Sequence, residues 1–268
     1  MSQINVNTVV PFSGDLVTVN GVVTQKTSGD TIQLTDIGIS TSATNSTFVG
    51  HLVGQGNTGT ANTFIGYNSG RFSTNGLGVF VGNSSGQSCT GLANTFIGNN
   101  AGSSVTGDLN VYVGNGAGNQ AGSGHNNIAI GNQSMPATIT TGNSITLGNS
   151  SHNVLRCAVT SITSLSDARD KKEVEDLNVG LDFIDGLRPV KFVWDDRNED
   201  GKHDIADFGF IAQELKAAED AVEMADVLKL VYDENPEKLE ASYGKLIPIL
   251  VKAVQELSAE LKALKAKK

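Results

Sequence analysis

The sequence predicts a mainly β protein: a glycine-rich repeat wound as a trimeric, triple-stranded, β-helix-like fibre, then a small α+β domain ending in a trimeric coiled-coil helix. Three observations predict it. Residues 1–165 hold 26 of the 31 glycines and only seven charged residues, whereas 166–268 hold the remaining sixteen basic and twenty-four acidic ones. Within the glycine-rich part an aromatic–aliphatic–Gly unit recurs at a fixed interval. At the far end, Leu250, Val254, Leu257, Leu261 and Leu264 are spaced 4, 3, 4, 3, the heptad rule of a helix that needs a partner.

Residues 1–42 form an N-terminal β segment. Ile4–Val10 and Leu16–Val23 alternate at period two, with Pro11 and Ser13-Gly14 between them as a turn. Residues 43–152 form the repeat. Its unit runs Phe48-Val49-Gly50, Phe64-Ile65-Gly66, Phe80-Val81-Gly82, Phe96-Ile97-Gly98 and Tyr112-Val113-Gly114, then decays to Ala129-Ile130-Gly131 and Thr146-Leu147-Gly148. Successive glycines lie 16, 16, 16, 16, 17 and 17 residues apart. A second glycine follows four residues later at Gly54, Gly70, Gly86, Gly102 and Gly118, and Asn62, Asn94, Asn110 and Asn127 precede the apolar step. Such regularity means stacked supersecondary units rather than disorder. Each unit offers two or three apolar side chains, too few for one chain to cover both sides of so thin a core. The expectation is therefore three chains wrapped on a common axis, with the glycines permitting close approach, rather than a single-chain solenoid. As a shaft it either presents a receptor-binding surface or serves as a spacer.

Residues 153–268 have an ordinary globular composition. Val179–Leu187 places Leu181 and Ile184 at a helical interval and stops at Gly186 and Pro189; Val190–Trp194 reads as a strand; Phe208–Leu215 passes from strand to helix; 246–268 is the heptad helix.

Composition excludes several function classes. The net charge of −9 argues against a nucleic-acid footprint. Two cysteines, Cys89 and Cys157, make neither a disulfide framework nor a metal knuckle. No apolar run spans a membrane, and Met1–Asn5 lacks a signal-peptide pattern, so the expectation is synthesis in a cytoplasm, no membrane insertion and no usual export. Asp196–Asp207 matches the first half of a calcium loop, but Asp207 stands where the bidentate Glu belongs and His203 where an apolar residue belongs; a solvated hairpin between Trp194 and Phe208 is favoured. His51, His125, His152 and His203 are scattered and read as surface residues. No metal or cofactor is expected.

At the compositional border stands Ser166-Asp167-Ala168-Arg169-Asp170-Lys171. A serine five residues before a lysine is a candidate hydrolytic pair. The alternative is a helix cap at Ser166-Asp167 ahead of Lys-Lys-Glu-Val. Three further stretches follow in order: Leu187–Trp194 (LRPVKFVW), Phe208–Glu214 (FGFIAQE) and Leu246–Leu257 (LIPILVKAVQEL). Together the four resemble the C-terminal intramolecular chaperone domain of phage tail fibres and tailspikes, endosialidases included, over roughly 153–268; the same domain type occurs in a membrane-bound eukaryotic transcription factor. Val174, where isoleucine is common, and the extra Lys172 are small departures. The repeat resembles glycine-rich repeats of phage tail fibres and, more loosely, heads of trimeric autotransporter adhesins.

The resemblance implies a homotrimer whose chaperone domains assemble the fibre and then cut the chain at Leu165–Ser166. It implies Ser166 as nucleophile, Lys171 as general base, and Asp167 and Arg169 as supporting residues, with Arg169 a candidate oxyanion donor. Burial on assembly would be needed to bring the lysine amine below its ordinary pKa of about 10.4. The whole would be a virion appendage made in the host cytoplasm, held to other tail proteins by its N-terminus and binding a glycan or protein receptor on the host. Autoproteolysis is the only activity expected. A non-cleaving fibre and a cellular surface adhesin are the alternatives. A shaft acting on polysaccharide is disfavoured, because its only carboxylates, Asp15, Asp30, Asp36 and Asp108, form no close pair.

Overall fold

The computed structural model describes residues 25–27, 30–32, 45–74, 76–152, 154–158, 162–197 and 201–267. The strands expected at 4–10 and 16–23 lie outside the described residues, which take in only 25–27 and 30–32 of the expected attachment segment. The chain divides into two compact units, 1–120 and 121–268.

In the first unit, β1 (Gln25–Thr27) and β2 (Asp30–Ile32) form an antiparallel pair. The repeat then supplies β3 (Thr47–Val49), β4 (Thr63–Ile65), β5 (Val79–Val81), β6 (Thr95–Ile97) and β7 (Val111–Val113). Each strand pairs parallel and in register with the next, so Phe48, Phe64, Phe80, Phe96 and Tyr112 align. The second unit repeats the pattern in β8 (Ile128–Ile130) and β9 (Ile145–Leu147), also parallel. The winding of the repeat is thus a β-solenoid, one turn per sequence unit.

Each strand is three residues long, and period two sends only its middle residue inward. Phe64, Phe80, Phe96 and Tyr112 are fully buried. Their rings, with Phe48, stack at centroid distances of 4.7–5.2 Å and interplanar angles of 4–10°. That spacing is the distance between neighbouring strands, so the in-register ladder alone dictates the ring column. A second inner column (Val53, Ser69, Ser85, Ala101, Ala117, Ser134) is small and buried. Its serines donate to strand carbonyls one turn on, Ser69 to Phe80 and Ser85 to Phe96, each at 3.0 Å. The asparagine column satisfies the backbone at the corner. Asn62 Oδ1 accepts from Gly78 N and Asn94 Oδ1 from Asn110 N, both at 2.8 Å, while Asn94 Nδ2 donates to Gly107 O at 3.0 Å.

One expectation is corrected here. A single chain does bury the aromatic stripe, because each turn folds back on itself and lays small side chains against the rings. The glycines give close approach within that chain, not to a shared axis. A Cβ on Gly54, Gly70, Gly86, Gly102 or Gly118 would stand 2.0–2.6 Å from a ring carbon of the aromatic residue in its own turn. The first glycines meet backbone instead: a Cβ on Gly82 would stand 2.4 Å from Gly98 O.

The second unit continues into the α+β domain. It contains α1 (Leu181–Asp185), β10 (Val190–Asp195), β11 (His203–Gly209), α2 (Ala212–Ala221), α3 (Ala225–Leu228), β12 (Val231–Tyr232), β13 (Glu240–Ala241) and α4 (Leu246–Ala266). Strands β10 and β11 are antiparallel with a register shift at Trp194/Asp195, so the hairpin expected between Trp194 and Phe208 is present; 198–200 lie outside the described residues. The core is small: Val179, Phe183, Leu228, Leu230, Leu246 and Ile249. Helix α4 has two apolar faces. Leu246, Ile249 and Ala253 are buried on the domain, whereas Leu250, Val254, Leu257, Leu261 and Leu264 are exposed. Glu256 ties α4 to α1, its Oε2 accepting from Leu181 N at 2.7 Å.

Candidate functional site

Residues 162–176 form an exposed connecting segment, and Leu165 is fully exposed. One short device gives it shape. Ala168–Asp170 make a single 3₁₀ turn, closed by Asp170 N to Asp167 O and Lys171 N to Ala168 O, each 3.2 Å. Asp167 is its N-cap, extended at φ −69°, ψ 135°, with Oδ1 accepting from Arg169 N at 2.9 Å. The same carboxylate is gripped by the Arg169 side chain, Nε to Oδ1 at 3.0 Å and Nη2 to Oδ2 at 2.6 Å. The guanidinium holds the Asp167 carboxyl below the usual carboxylate range, with the Arg169 N–H adding to it, and Asp167 raises Arg169 in return.

Beyond the turn the chain is extended again at Lys171, φ −123°, ψ 143°. This sends the lysine side chain back along the segment. Lys171 Nζ lies 2.6 Å from Ser166 Oγ and 3.2 Å from Ser166 O. The serine hydroxyl and the lysine amine are therefore in hydrogen-bond contact, the geometry a nucleophile and its base would need. As an ammonium the lysine donates; as a neutral amine the same contact lets it accept the hydroxyl proton.

The structure brings together Ser166 with Lys171, and Asp167 with Arg169. Leu165 is joined to Ser166 by the peptide bond in question. The helix-cap reading also holds in part: Asp167 caps a turn, but a 3₁₀ turn over 168–170 rather than an α-helix over 171–174. The guanidinium of Arg169 is engaged by Asp167 through two of its nitrogens. A cleft of about 1000 Å³ lies between 133–151 and 232–240, and neither Ser166 nor Lys171 lines it. The pair stands in open solvent, on the chain it would cut. Among the described residues no group of three or more His, Cys, Asp or Glu is placed to hold a metal ion.

Sequence reasoning did not single out two polar contacts of the domain, one buried and one exposed. Glu219 is buried and accepts from Leu230 N at 2.8 Å. Arg188 makes a forked ion pair with Glu214, its Nε 3.1 Å from Oε2. The second joins two of the quoted motifs, LRPVKFVW and FGFIAQE, so their co-occurrence was a signal; Glu219 carried none.

Residues 166–227 match the family model described as chaperone of endosialidase. The match begins at the serine and takes in three of the four quoted motifs; the fourth, 246–257, follows it. It supports a C-terminal intramolecular chaperone domain of endosialidase or tail-fibre type. No curated protein and no solved structure gives a match.

Proposed function

We propose that the protein is a trimeric tail-fibre or tailspike-type virion appendage for host attachment, assembled by its C-terminal chaperone domain, which then cuts the chain between Leu165 and Ser166. The observation that carries this reading is the 2.6 Å contact of Lys171 Nζ with Ser166 Oγ at the first residue of the matched domain. In the reaction, Ser166 Oγ gives its proton to the neutral Lys171 amine and bonds to the Leu165 carbonyl carbon through a five-membered ring. The C–N bond breaks as the nitrogen takes the proton back, leaving an ester between Leu165 and Ser166 Oγ. Water hydrolyses the ester to the Leu165 carboxylate and a free Ser166 amino terminus.

A lysine is almost fully protonated at neutral pH unless it is buried, and Lys171 is exposed in the single chain. Assembly would supply the burial, which makes cutting report on correct trimer formation. Two surfaces support association of identical chains. One is the open heptad seam of α4. The other is the outer face of the sheet. There Val49, Ile65, Val79 and Ile97 are exposed, and between 45 and 152 the repeat carries no charges but Arg71 and Asp108. The N-terminus as the attachment to other tail proteins, and a glycan or protein receptor on the host, complete the proposal.

The test is expression of the full chain, a denaturing gel and amino-terminal sequencing. A fragment starting at Ser166, absent in Ser166→Ala and Lys171→Ala, with a trimer by ultracentrifugation, is the expected result. A single intact band from a wild-type trimer leaves the non-cleaving fibre as the better reading.

A further inference from the structure

We infer that Asp167 is the positioning residue of the cut: its cap on the 168–170 turn sets the Ser166–Lys171 contact, and Arg169 serves by holding Asp167 rather than by stabilising the oxyanion. The inference rests on the self-cleaving reading above.

Residues five apart do not meet in an extended chain, where they are separated by roughly 16 Å. They meet here because one turn reverses the path. That turn has two backbone hydrogen bonds, both at 3.2 Å, and no buried residue. Its residues are exposed, so its conformation depends on its own cap. Asp167 closes it from the amino-terminal side with one oxygen on Arg169 N, and the Arg169 side chain fixes the carboxylate in that rotamer by taking both oxygens. Because that guanidinium holds the carboxyl below the usual range, the cap remains an acceptor throughout the neutral pH range in which the cut would take place. An oxyanion donor must instead be free to point at the Leu165 carbonyl oxygen. With Nε and Nη2 both turned onto Asp167, the guanidinium is committed to that carboxylate.

The test measures cutting rate in full-length chains, with trimer content checked by ultracentrifugation. Asp167→Ala removes the cap and should slow the cut about five- to tenfold with the trimer intact. Asp167→Asn keeps an acceptor for Arg169 N and should restore the rate to within about twofold of wild type, because Asn caps as well as Asp. Arg169→Ala should cost only a few-fold, whereas loss of an oxyanion donor costs about 10²–10³. Asp167→Ala as fast as wild type, Asp167→Asn as slow as Asp167→Ala, or a hundredfold loss in Arg169→Ala each overturns the proposal. An uncut wild-type trimer removes the hydrolytic reading itself, and the proposal with it; a normally cut wild type beside an unaffected Asp167→Ala removes the proposal alone.

Discussion

Gly86→Ala is the sharpest test of how the repeat is built. Gly86 sits at φ +61°, and a Cβ there would lie 2.2 Å from Phe80 Cδ2 and 2.3 Å from Cε2. Two costs follow. The left-handed conformation costs an alanine about 1–2 kcal/mol. The methyl also needs more than an ångström of room, which the ring cannot give sideways, since Phe80 stacks on Phe64 at 4.7 Å and on Phe96 at 4.9 Å. Overpacking of this kind costs about 1–3 kcal/mol, so the total is about 2–5 kcal/mol. The assay is native-state hydrogen exchange in the Ser166→Ala background, read on peptides covering 79–102. Protection there should fall by that amount while distant turns keep theirs, as nearest-neighbour stacking requires. Gly76→Ala is the control, because its φ is not positive and its nearest contact is Thr60 O at 3.1 Å; it should cost less than about 1 kcal/mol. Phe80→Leu should partly relieve Gly86→Ala, giving a favourable coupling in the double-mutant cycle. An unchanged exchange pattern in Gly86→Ala would refute the ring-contact account of the second glycine column.

Four further outcomes are expected. Cys157 is exposed and Cys89 buried, and burial pushes the Cys89 thiol up to about 12, so a thiol reagent should label Cys157 in the native protein and Cys89 only after denaturation. Because the folded state keeps that thiol protonated while an unfolded one ionises near 9.0, its contribution to stability is complete below pH 9 and drains away as pH rises towards 12; alkaline unfolding should be blunted in Cys89→Ala. Glu219→Ala leaves the buried Leu230 N–H without its acceptor and should cost about 1–3 kcal/mol in thermal unfolding of the C-terminal domain, whereas Glu219→Gln retains an acceptor and should cost less. Leu257→Asp with Leu261→Asp should abolish oligomers in ultracentrifugation yet leave the domain folded, since α4 packs on the domain through Leu246, Ile249 and Ala253.

Much of this was legible in the sequence, and the exceptions have physical causes. The repeat announced its strands because five successive turns, Phe48 to Tyr112, carry one aromatic at one register, and a parallel ladder of stacked rings follows from that alone. The glycine columns were read correctly as close approaches but assigned to the wrong neighbour. Spacing gives the place where a Cβ is forbidden; only the fold says that Phe80, not another chain, stands against Gly86. The Ser166–Lys171 contact was legible because it is made within six residues, whereas the exposure of the pair depends on the fold around it. Helix α4 showed its heptad seam plainly. Its second face, Leu246, Ile249 and Ala253, was hidden because both faces are apolar and the heptad pattern absorbs the signal. Strands β12 and β13, two residues each, are too short to carry any periodicity.

The closed core of each solenoid turn changes what a chaperone domain has to accomplish. If the rings had required three chains, no part of the shaft would be stable before assembly, and association and folding would be one event. Instead Phe64, Phe80 and Phe96 are fully covered by their own chain, and the contacts that cover them span about one turn of sequence, the pairing Phe64↔Phe80 being typical. Folding of turns and joining of chains are then separable steps. In the proposed trimer, association would add cover for the outer aliphatic columns, a partner for the α4 seam, and burial for Lys171. All three sit on surfaces a monomer leaves open. For the proposed function the order that follows would be turns first, alignment of chains second and the cut last. At high dilution the Ser166→Ala chain should therefore show protected amides at 79–102 while sedimenting as a monomer, with trimer forming only as concentration rises. Protection that appears only together with the trimer would reverse this order.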